Sequence, residues 1–500
     1  MWVSFINDNK ISKMKKIAIL AMLIAFAFTM NAQNEIDALR FSQSFYQGTA
    51  RSMAMGGAFG ALGADFSSLS TNPAGIGLFR SSEFSLSPGL LNSKTASTYN
   101  GMFGDDFRSN FAFSNMGIVL TNKVNENSTK TPWKFYQFGF GMNRTNSFNQ
   151  RSLIQGDNND HSRIDVFLDK VWNVSPSNIE DQFPFDLYPA WYVYLLDTVR
   201  NSDGDLIYTS PVPQGGIRQY ETTTTWGSTN EWLFSGGANL NDVVFLGATL
   251  GLPYVRYFKE STFTEKDIND EIDGFDEWNF RETIETRGMG INLKLGIIVW
   301  PVDWLRLGAS FHTPTYFAEM QDSWYTSIDA RLGPDFNRKD SPTGEYQYDL
   351  TTPLRAIGSA AIIIGKSGLI SADYEFVDYT KMRLRAPDYN FTSENDAIRS
   401  SFTSVYNLRL GTEWRVSNFN FRGGYALYSS PYINDLNDGQ LTNISLGVGY
   451  TENNFAIDLA WVNGTKNQDY YLYSSENYTT NAAKQELTSN HFVVTTRFKF

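Results

Sequence analysis

The chain has 500 residues, with 41 Lys and Arg against 53 Asp and Glu, a formal net charge of −12, three histidines and no cysteine. An aromatic share of 15% argues against a disordered chain, which lacks the side chains to bury area. The missing cysteine excludes disulfide frameworks, thiolate-bound zinc and iron–sulfur clusters. The acidic balance excludes a sequence-independent nucleic-acid binder, which needs clustered Lys and Arg.

In chain order, the first element is an address. From Met14 the chain reads as a secretory signal at 1–32: Lys15 and Lys16 form a basic head, and Ile17 to Phe28 is an uninterrupted apolar run. Met30-Asn31-Ala32 places a small residue before a cut that leaves Gln33 first, while Met1 to Lys13 reads as an over-long start. The apolar run is too short to serve as an anchor, and nothing beyond residue 32 approaches the roughly 20 apolar residues of a membrane helix. The exported chain is therefore soluble or meets a membrane as strands.

Residues 33–80 do not alternate. A short helix is expected over Glu35 to Phe45, followed by the small-residue run Met55 to Ala64 and then Asp65 to Thr71, ending at Asn72-Pro73-Ala74-Gly75-Ile76-Gly77. Glycine and alanine at this density let backbone pack closely against other elements, and Asn-Pro punctuates a turn. A compact segment placed before the first strand is expected to fold into a lumen as a plug.

Residues 81–500 are read as an all-β, transmembrane antiparallel barrel. Tyr136, Phe138, Phe140 and Met142 share one face, as do Met289 to Val299 at every second residue. Ile444, Leu446, Val448 and Tyr450 follow the same rule, and so do Phe455, Ile457, Leu459 and Trp461. Each run is about the ten residues that a tilted strand needs to cross a bilayer. A sandwich could show this period too. Loop lengths favour the barrel, because tight turns near Asn241-Asp242, Pro301-Val302-Asp303, Lys366-Ser367-Gly368, Val416-Ser417-Asn418 and Glu452-Asn453-Asn454 alternate with long stretches. Those stretches are 144–225, 259–277, 317–349, 385–403 and 465–489. About fourteen strands are expected, centred near residues 86, 116, 138, 233, 250, 292, 310, 358, 374, 410, 424, 446, 459 and 495. The last, with Phe492, Val494, Thr496, Phe498 and Phe500 on one face, should close on Glu83 to Leu90, since backbone in hydrocarbon must be paired.

The run GGAFGALGADFSSLSTNPAGIG, above all Asn72-Pro73-Ala74-Gly75, resembles the N-terminal hatch of the FadL/TodX-type outer-membrane transporters of long-chain fatty acids and other hydrophobic compounds. Further similarity lies at Gly308 to Pro314, Ala372 to Tyr379, Asn407 to Glu413 and Phe421 to Pro431. The resemblance implies fourteen strands, a hatch carried by Gly57, Gly60, Gly63, Asn72, Pro73, Ala74 and Gly75, and exit of ligand sideways through the wall. It also implies an outer-membrane location in a Gram-negative cell, a monomer, contact with outer-membrane lipid, and no cofactor. The early position of the long 144–225 stretch departs from the family pattern.

Candidate ligand contacts come from two places. The 144–225 stretch carries Phe183, Phe185, Leu187, Tyr188, Trp191, Tyr192, Tyr194, Leu195 and Leu196, which serve either as a landing surface or as the stretch's own core. Inside the barrel, Arg409, Arg422 and Lys294 have lumen parity, as do Asp373, Glu375 and Glu413. A buried charge needs partners, so an internal salt network is the simpler reading, and a carboxylate ligand the alternative. Gly139 and Gly141 mark either a strand kink or positions where the hatch packs closely.

Other motifs carry less. Gly365-Lys366-Ser367 lacks the first glycine of a phosphate loop, where Ala360 stands, and Asn269 to Gly274 lacks the closing Glu of a calcium loop, where Phe280 stands. Ser310 and His312 share a face but have no evident third member for catalysis, and His161, His312 and His491 are too scattered to read as a metal site. No enzyme activity is expected. Passive uptake of hydrophobic compounds leads. Behind it stand an accessory barrel for protein secretion or a haem receptor, and a general porin.

Overall fold

The structure is a computed structural model that describes residues 34–124, 131–433, 437–474, 477 and 480–500. The expected signal at 1–32 lies outside the described residues. Fourteen antiparallel barrel strands follow one another around the wall. They are β1 (Glu83–Tyr99), β2 (Met102–Lys123), β3 (Trp133–Ser147, continued as Gln150–Asn158) and β4 (Ile217–Leu240). Next come β5 (Val244–Lys266), β6 (Glu277–Val302), β7 (Leu305–His312, continued as Tyr316–Leu332) and β8 (Gly344–Thr351, continued as Arg355–Ile364). The remainder are β9 (Gly368–Asp378, continued as Arg383–Arg385), β10 (Ser404–Val416), β11 (Phe419–Tyr428), β12 (Leu441–Glu452), β13 (Phe455–Tyr470) and β14 (Ala483–Lys499). All fourteen expected centres fall inside them, one per strand.

The barrel closes where expected. β14 pairs with β1 from Glu83↔Lys499 through Leu90↔Phe492 and on to Thr98↔Lys484. The alternation becomes a division of space. Met289, Ile291, Leu293, Leu295 and Ile297 are exposed outward, as are Phe138, Phe140, Ile444, Leu446, Phe492 and Phe498, while Asn292, Lys294, Arg409 and Arg422 are buried inward. That is the arrangement of a barrel whose outside meets hydrocarbon. Pro314 and Pro353 interrupt β7 and β8, because proline has no N–H for the ladder. The two strands break together, their lower halves pairing as Ser310↔Ile357 and their upper halves as Tyr316↔Thr351.

The loop boundaries need correction. Much of 144–158, 217–225, 259–266, 317–332, 465–470 and 483–489 is strand. β6 is 26 residues long, over twice the ten or so that a crossing requires. Above the membrane the outer face meets water, so alternation no longer marks the strand although the ladder hydrogen bonds continue. The tip joining β1 to β2 is also tight, at Asn100 and Gly101, on the end that carries the long connections. A further connection, 429–440, joins that end.

Candidate functional site

Residues 34–82 run through the lumen. α1 (Glu35–Ser42) starts at Asn34, whose side chain accepts from the Asp37 N–H, and it ends three residues before the expected Phe45. α2 (Ala50–Ala54) is capped by Thr49, and α3 (Ser68–Thr71) leads into a tight 3₁₀ turn, Pro73–Leu78, with proline at its start. The wall receives this segment at inward-facing glycines. A methyl group on Gly247 would collide with the Pro73 carbonyl, on Gly296 with Asn72, on Gly308 with the Gly60 carbonyl, and on Gly424 with the Met55–Gly56 peptide. Gly139 and Gly141 belong to the same set, facing Leu69, Ile76 and Phe66, so they are packing positions rather than the site of a kink. Within the segment Gly63 has φ +63° and lies against Gly75, where a side chain on either would meet the other's backbone.

Polar bonds fix what the glycines admit. Asn72 Nδ2 donates to Gly60 O at 2.6 Å and to Ile297 O at 3.2 Å, while its Oδ1 accepts from the Ala74 N–H. The Phe59 and Gly60 N–H groups donate to the Asp373 carboxylate. Ser310 Oγ and His312 Nε2 both donate to Thr71 O at 2.8 Å, so this pair is spent on holding the segment. Gly57 sits beside the Arg409 side chain, and Pro73, Ala74 and Gly75 form the turn pressed into β4–β6.

The inward charges pair with one another. Arg409 Nη1 meets Glu375 at 2.7 Å, and the other oxygen of Glu375 accepts from Arg355 at 2.6 Å. Arg355 also donates to Ser42 O, and Arg409 lies over the Tyr46 ring, so this cluster grips the start of the segment. Arg422 bridges Glu413 (2.7 Å) and Asp458 (2.6 Å). Glu413 also accepts from Arg51 of α2, and Asp458 from Arg497. Lys294 is paired with Glu231 and reaches Ser70 O at 3.3 Å. Arg409, Arg422 and Lys294 are therefore each ion-paired and connected to the segment or its neighbours. Between the segment and the wall remains a polar cavity of about 50 Å³, bordered by Ser44, Tyr46, Glu231, Lys294, His312 and Arg355.

The mouth is closed by a second body. Residues 159–216 fold into the opening through α4 (Arg163–Val171), whose N-cap Ser162 makes a reciprocal capping box with Asp165. Ile164, Phe167, Val171, Leu187, Ala190, Val193 and Leu195 form a continuous apolar core with Phe263, Trp278 and Phe280 of the upper wall. Trp191 packs edge-on to Tyr208, and Phe185 faces Trp324, whereas Tyr194 stays exposed with φ +62°. The structure thus uses most of the candidate landing residues as the loop's own core. One carboxylate ties this lid down. Glu265, well above the membrane-facing belt, accepts from Ser162 Oγ, the Arg163 N–H, Gln219 and Trp278 Nε1. Burial pushes its carboxyl above the ordinary range, and those donors offset only part of the shift.

The wall itself is unzipped at one place. β2 and β3 pair from Lys123↔Phe135 to Asn115↔Asn143 and no further. Beyond that, β2 bonds only to β1, and β3 follows β4, shifting register between Arg144 and Asn146. Gln150–Asn158 then lies against the inward face of the β1–β2 hairpin, held by side chains. These are Ser93 Oγ to Asn149 O (2.7 Å), Gln155 Nε2 to Phe103 O (2.7 Å), Gln150 Nε2 to Thr95 Oγ1 (3.3 Å) and Arg151 with Asp106 (2.9 Å). The sequence reading placed these residues in a loop. Their one signal is that apolar residues stop recurring at alternate positions after Met142 and give way to Arg144 and Asn146. Glu231, Arg355, Asp458 and Arg497 were also missed, although each has the parity of its neighbours inside.

No family model matches the chain, and no curated protein sequence matches it. Solved structures do. A Pseudomonas aeruginosa FadL homologue superposes with a TM-score of 0.55 at 12% identity, covering 91% of this chain and 98% of its own. The P. putida toluene transporter TodX gives 0.53 at 12% identity, covering 90% and 98%. The Ralstonia pickettii toluene transporter TbuX gives 0.50 at 16% identity, again covering 90% and 98%. The chain has the FadL/TodX-type fold, a hydrocarbon-facing β-barrel of fourteen strands.

Proposed function

We propose that the protein is an outer-membrane channel through which hydrophobic small molecules, long-chain fatty acids among them, enter the cell passively. In this reading residues 33–80 are a hatch that shifts during passage, following a signal at 1–32 that is removed. The observation that carries it is the unzipped β2–β3 wall beside a lumen filled by its own N-terminal segment. A ladder that stops short leaves an opening in the wall between β2 and β3, and such a break marks a route. The cavity of about 50 Å³ between segment and wall is far below the roughly 300–1,000 Å³ of small-molecule sites, so ligand passes only if the segment moves. Polar anchoring suits such a part, because each bond can be exchanged for another at little net cost. Toluene transport by TodX and TbuX supports hydrophobic cargo of this class.

The chain has no native cysteine, which makes the test clean. The Ala50 N–H donates to Thr495 Oγ1 at 2.6 Å, so Ala50→Cys with Thr495→Cys puts two thiols at this contact, and the thiol count after oxidation checks that they have joined. Cells carrying the oxidised pair should lose uptake of labelled oleate and of toluene, and dithiothreitol should restore it. Equal uptake by the oxidised and reduced forms removes the moving hatch. Steady ion conductance of the wild-type channel in a planar bilayer would instead show a general porin.

A further inference from the structure

Above Asn115 the free edge of β2 overhangs the outer side of β3–β5 and encloses a groove of about 320 Å³. Arg108, Asn110 and Ala112 line one side, on the face of β2 that carries Asp106. Arg144, Trp226, Arg256 and Phe258 line the other, and Phe111 stands at the lip. Trp226, Arg256 and Phe258 share their outward face with Trp232, Phe234 and Tyr254 of the lipid-facing belt, and lie just beyond it along β4 and β5. This is the level of a membrane–water boundary, where an amphiphile keeps its head in water and its chain in hydrocarbon.

The charge balance here is unlike the lumen's. Arg355, Arg409, Arg422 and Arg497 each meet a carboxylate within 2.8 Å. In the groove, no ion pair holds Arg108 or Arg144 among the described residues. Arg108 lies over the Trp226 ring at 5.4 Å, and Arg144 Nε donates to the neutral Asn230 at 3.2 Å. Arg256 reaches Glu285 only at 3.7 Å, and Glu285 is more closely paired with Arg287. Three guanidinium groups thus border one cavity on a chain whose net charge is −12. Guanidinium presents paired N–H donors that match a carboxylate or phosphate, and an anion between the three removes their mutual repulsion. Trp226 and Phe258 stack at 5.0 Å and offer a flat apolar floor beside those donors.

We propose that this groove binds a single-chain anionic amphiphile, its head group between Arg108, Arg144 and Arg256 and its chain along Trp226, Phe258 and Phe111. A volume near the small end of ligand sites fits one chain and not a multi-chain lipid. The proposal names a substrate class for the lateral route proposed above and rests on that reading for its role, though not for binding. It selects acids over the neutral hydrocarbons that an uncharged gap would pass equally well.

The test uses the full chain in nanodiscs of neutral lipid, with protein-free nanodiscs subtracted, and titrates dodecanoate, dodecyl phosphate and dodecanol by calorimetry. Both anions should bind at least tenfold more tightly than dodecanol, and raised salt should weaken them alone. Arg108→Gln and Arg256→Gln should each lose about tenfold for the anions and leave dodecanol unchanged, while Arg108→Lys, which keeps the charge but not the paired donors, should lose less than Arg108→Gln. Equal binding of dodecanoate and dodecanol overturns the proposal, as does anion binding untouched in the double Gln variant. Displacement of bound dodecanoate by lipopolysaccharide at equimolar amounts also overturns it, since the groove would then hold a lipid of the leaflet. Toluene uptake by cells reports separately on the channel. Uptake without anion binding defeats the groove alone, and anion binding without any uptake defeats the channel alone.

Discussion

The barrel is filled twice, and both bodies pack apolar side chains against the wall, but the inner one carries many more directed bonds. The inner one, residues 34–82, is held by directed bonds: Asn72 to Gly60 and Ile297, Asp373 to two N–H groups, Thr71 to Ser310 and His312, Arg355 to Ser42. The outer one, residues 159–216, shares an apolar core with the upper wall, and its directed bonds to the barrel are fewer, among them those of Glu265 with Ser162 and Arg163, of Gln219 and Tyr473 with His161 O, and of Thr326 with Phe185 O. Directed bonds specify a position but add little net stability each, about 0.5–1.5 kcal/mol, because water competes for the same groups. Apolar burial scales with area and has no preferred partner. Under the proposed hatch movement, directed bonds suit a part that must return to one place, and apolar burial suits a lid that excludes water.

The sharpest way to break this contrast is to fill a hole in the wall. Gly296→Val should drive Asn72 off β6 and release the 3₁₀ turn, giving the channel steady ion conductance in a planar bilayer where the wild type gives none. An unchanged closed channel would mean that the segment is not positioned by these glycines. Next in size is Glu375→Ala, which leaves Arg355 and Arg409 buried without their common partner. Breaking such pairs costs about 3–5 kcal/mol, and hydrogen exchange should rise in residues 42–60 while the lid stays protected. Phe167→Ala should show the reverse, loosening residues 163–196 by about 3 kcal/mol and leaving the inner segment as it was. If either change loosens both bodies, they are one cooperative unit.

The smallest effect is on acidity. Glu265 has a raised pKa in the closed lid and an ordinary one when the lid opens, so the closed form binds its proton more tightly. Closure gains this contribution below the ordinary carboxyl range and loses it as pH rises through the raised value. Lid hydrogen exchange, corrected for intrinsic rate, should therefore increase with pH across that window. Glu265→Gln should flatten the dependence.

How much of this could be read in advance follows from where each signal comes from. Met289 to Val299 announced a strand because lipid on one side and lumen on the other force a two-residue period. The same strand runs on through Glu277 to Gly288, where the outer face meets water and the inner face meets the lid at Trp278 and Phe280, so the apolar residues change sides and the single-face pattern ends. Parity showed that Arg409, Arg422 and Lys294 point inward. It could not say that Glu375, Asp458 and Glu231 face them, since cross-strand partners depend on register. The glycine-rich run predicted close packing, and Gly296, Gly308 and Gly424 supply the holes from strands more than 200 residues away. The break after Asn143 left one faint trace, the replacement of apolar residues by Arg144 and Asn146 at alternate positions, because a strand's choice of neighbour is not written in its own sequence. Trp191 was legible as an apolar residue but not as one that lies against Tyr208.

The hairpin formed by β1 and β2 is bonded along its whole height to β14 on one side, and on the other only up to Asn115. Its upper half is thus a door hung on a single hinge. Swinging it outward would part side-chain latches, Ser93 with Asn149 and Arg151 with Asp106 among them, and withdraw Tyr99 from the lid's core, without drawing one rung from the ladder. An aperture in this cylinder can consequently widen by hinging, sparing the main-chain hydrogen bonds that keep most barrels rigid.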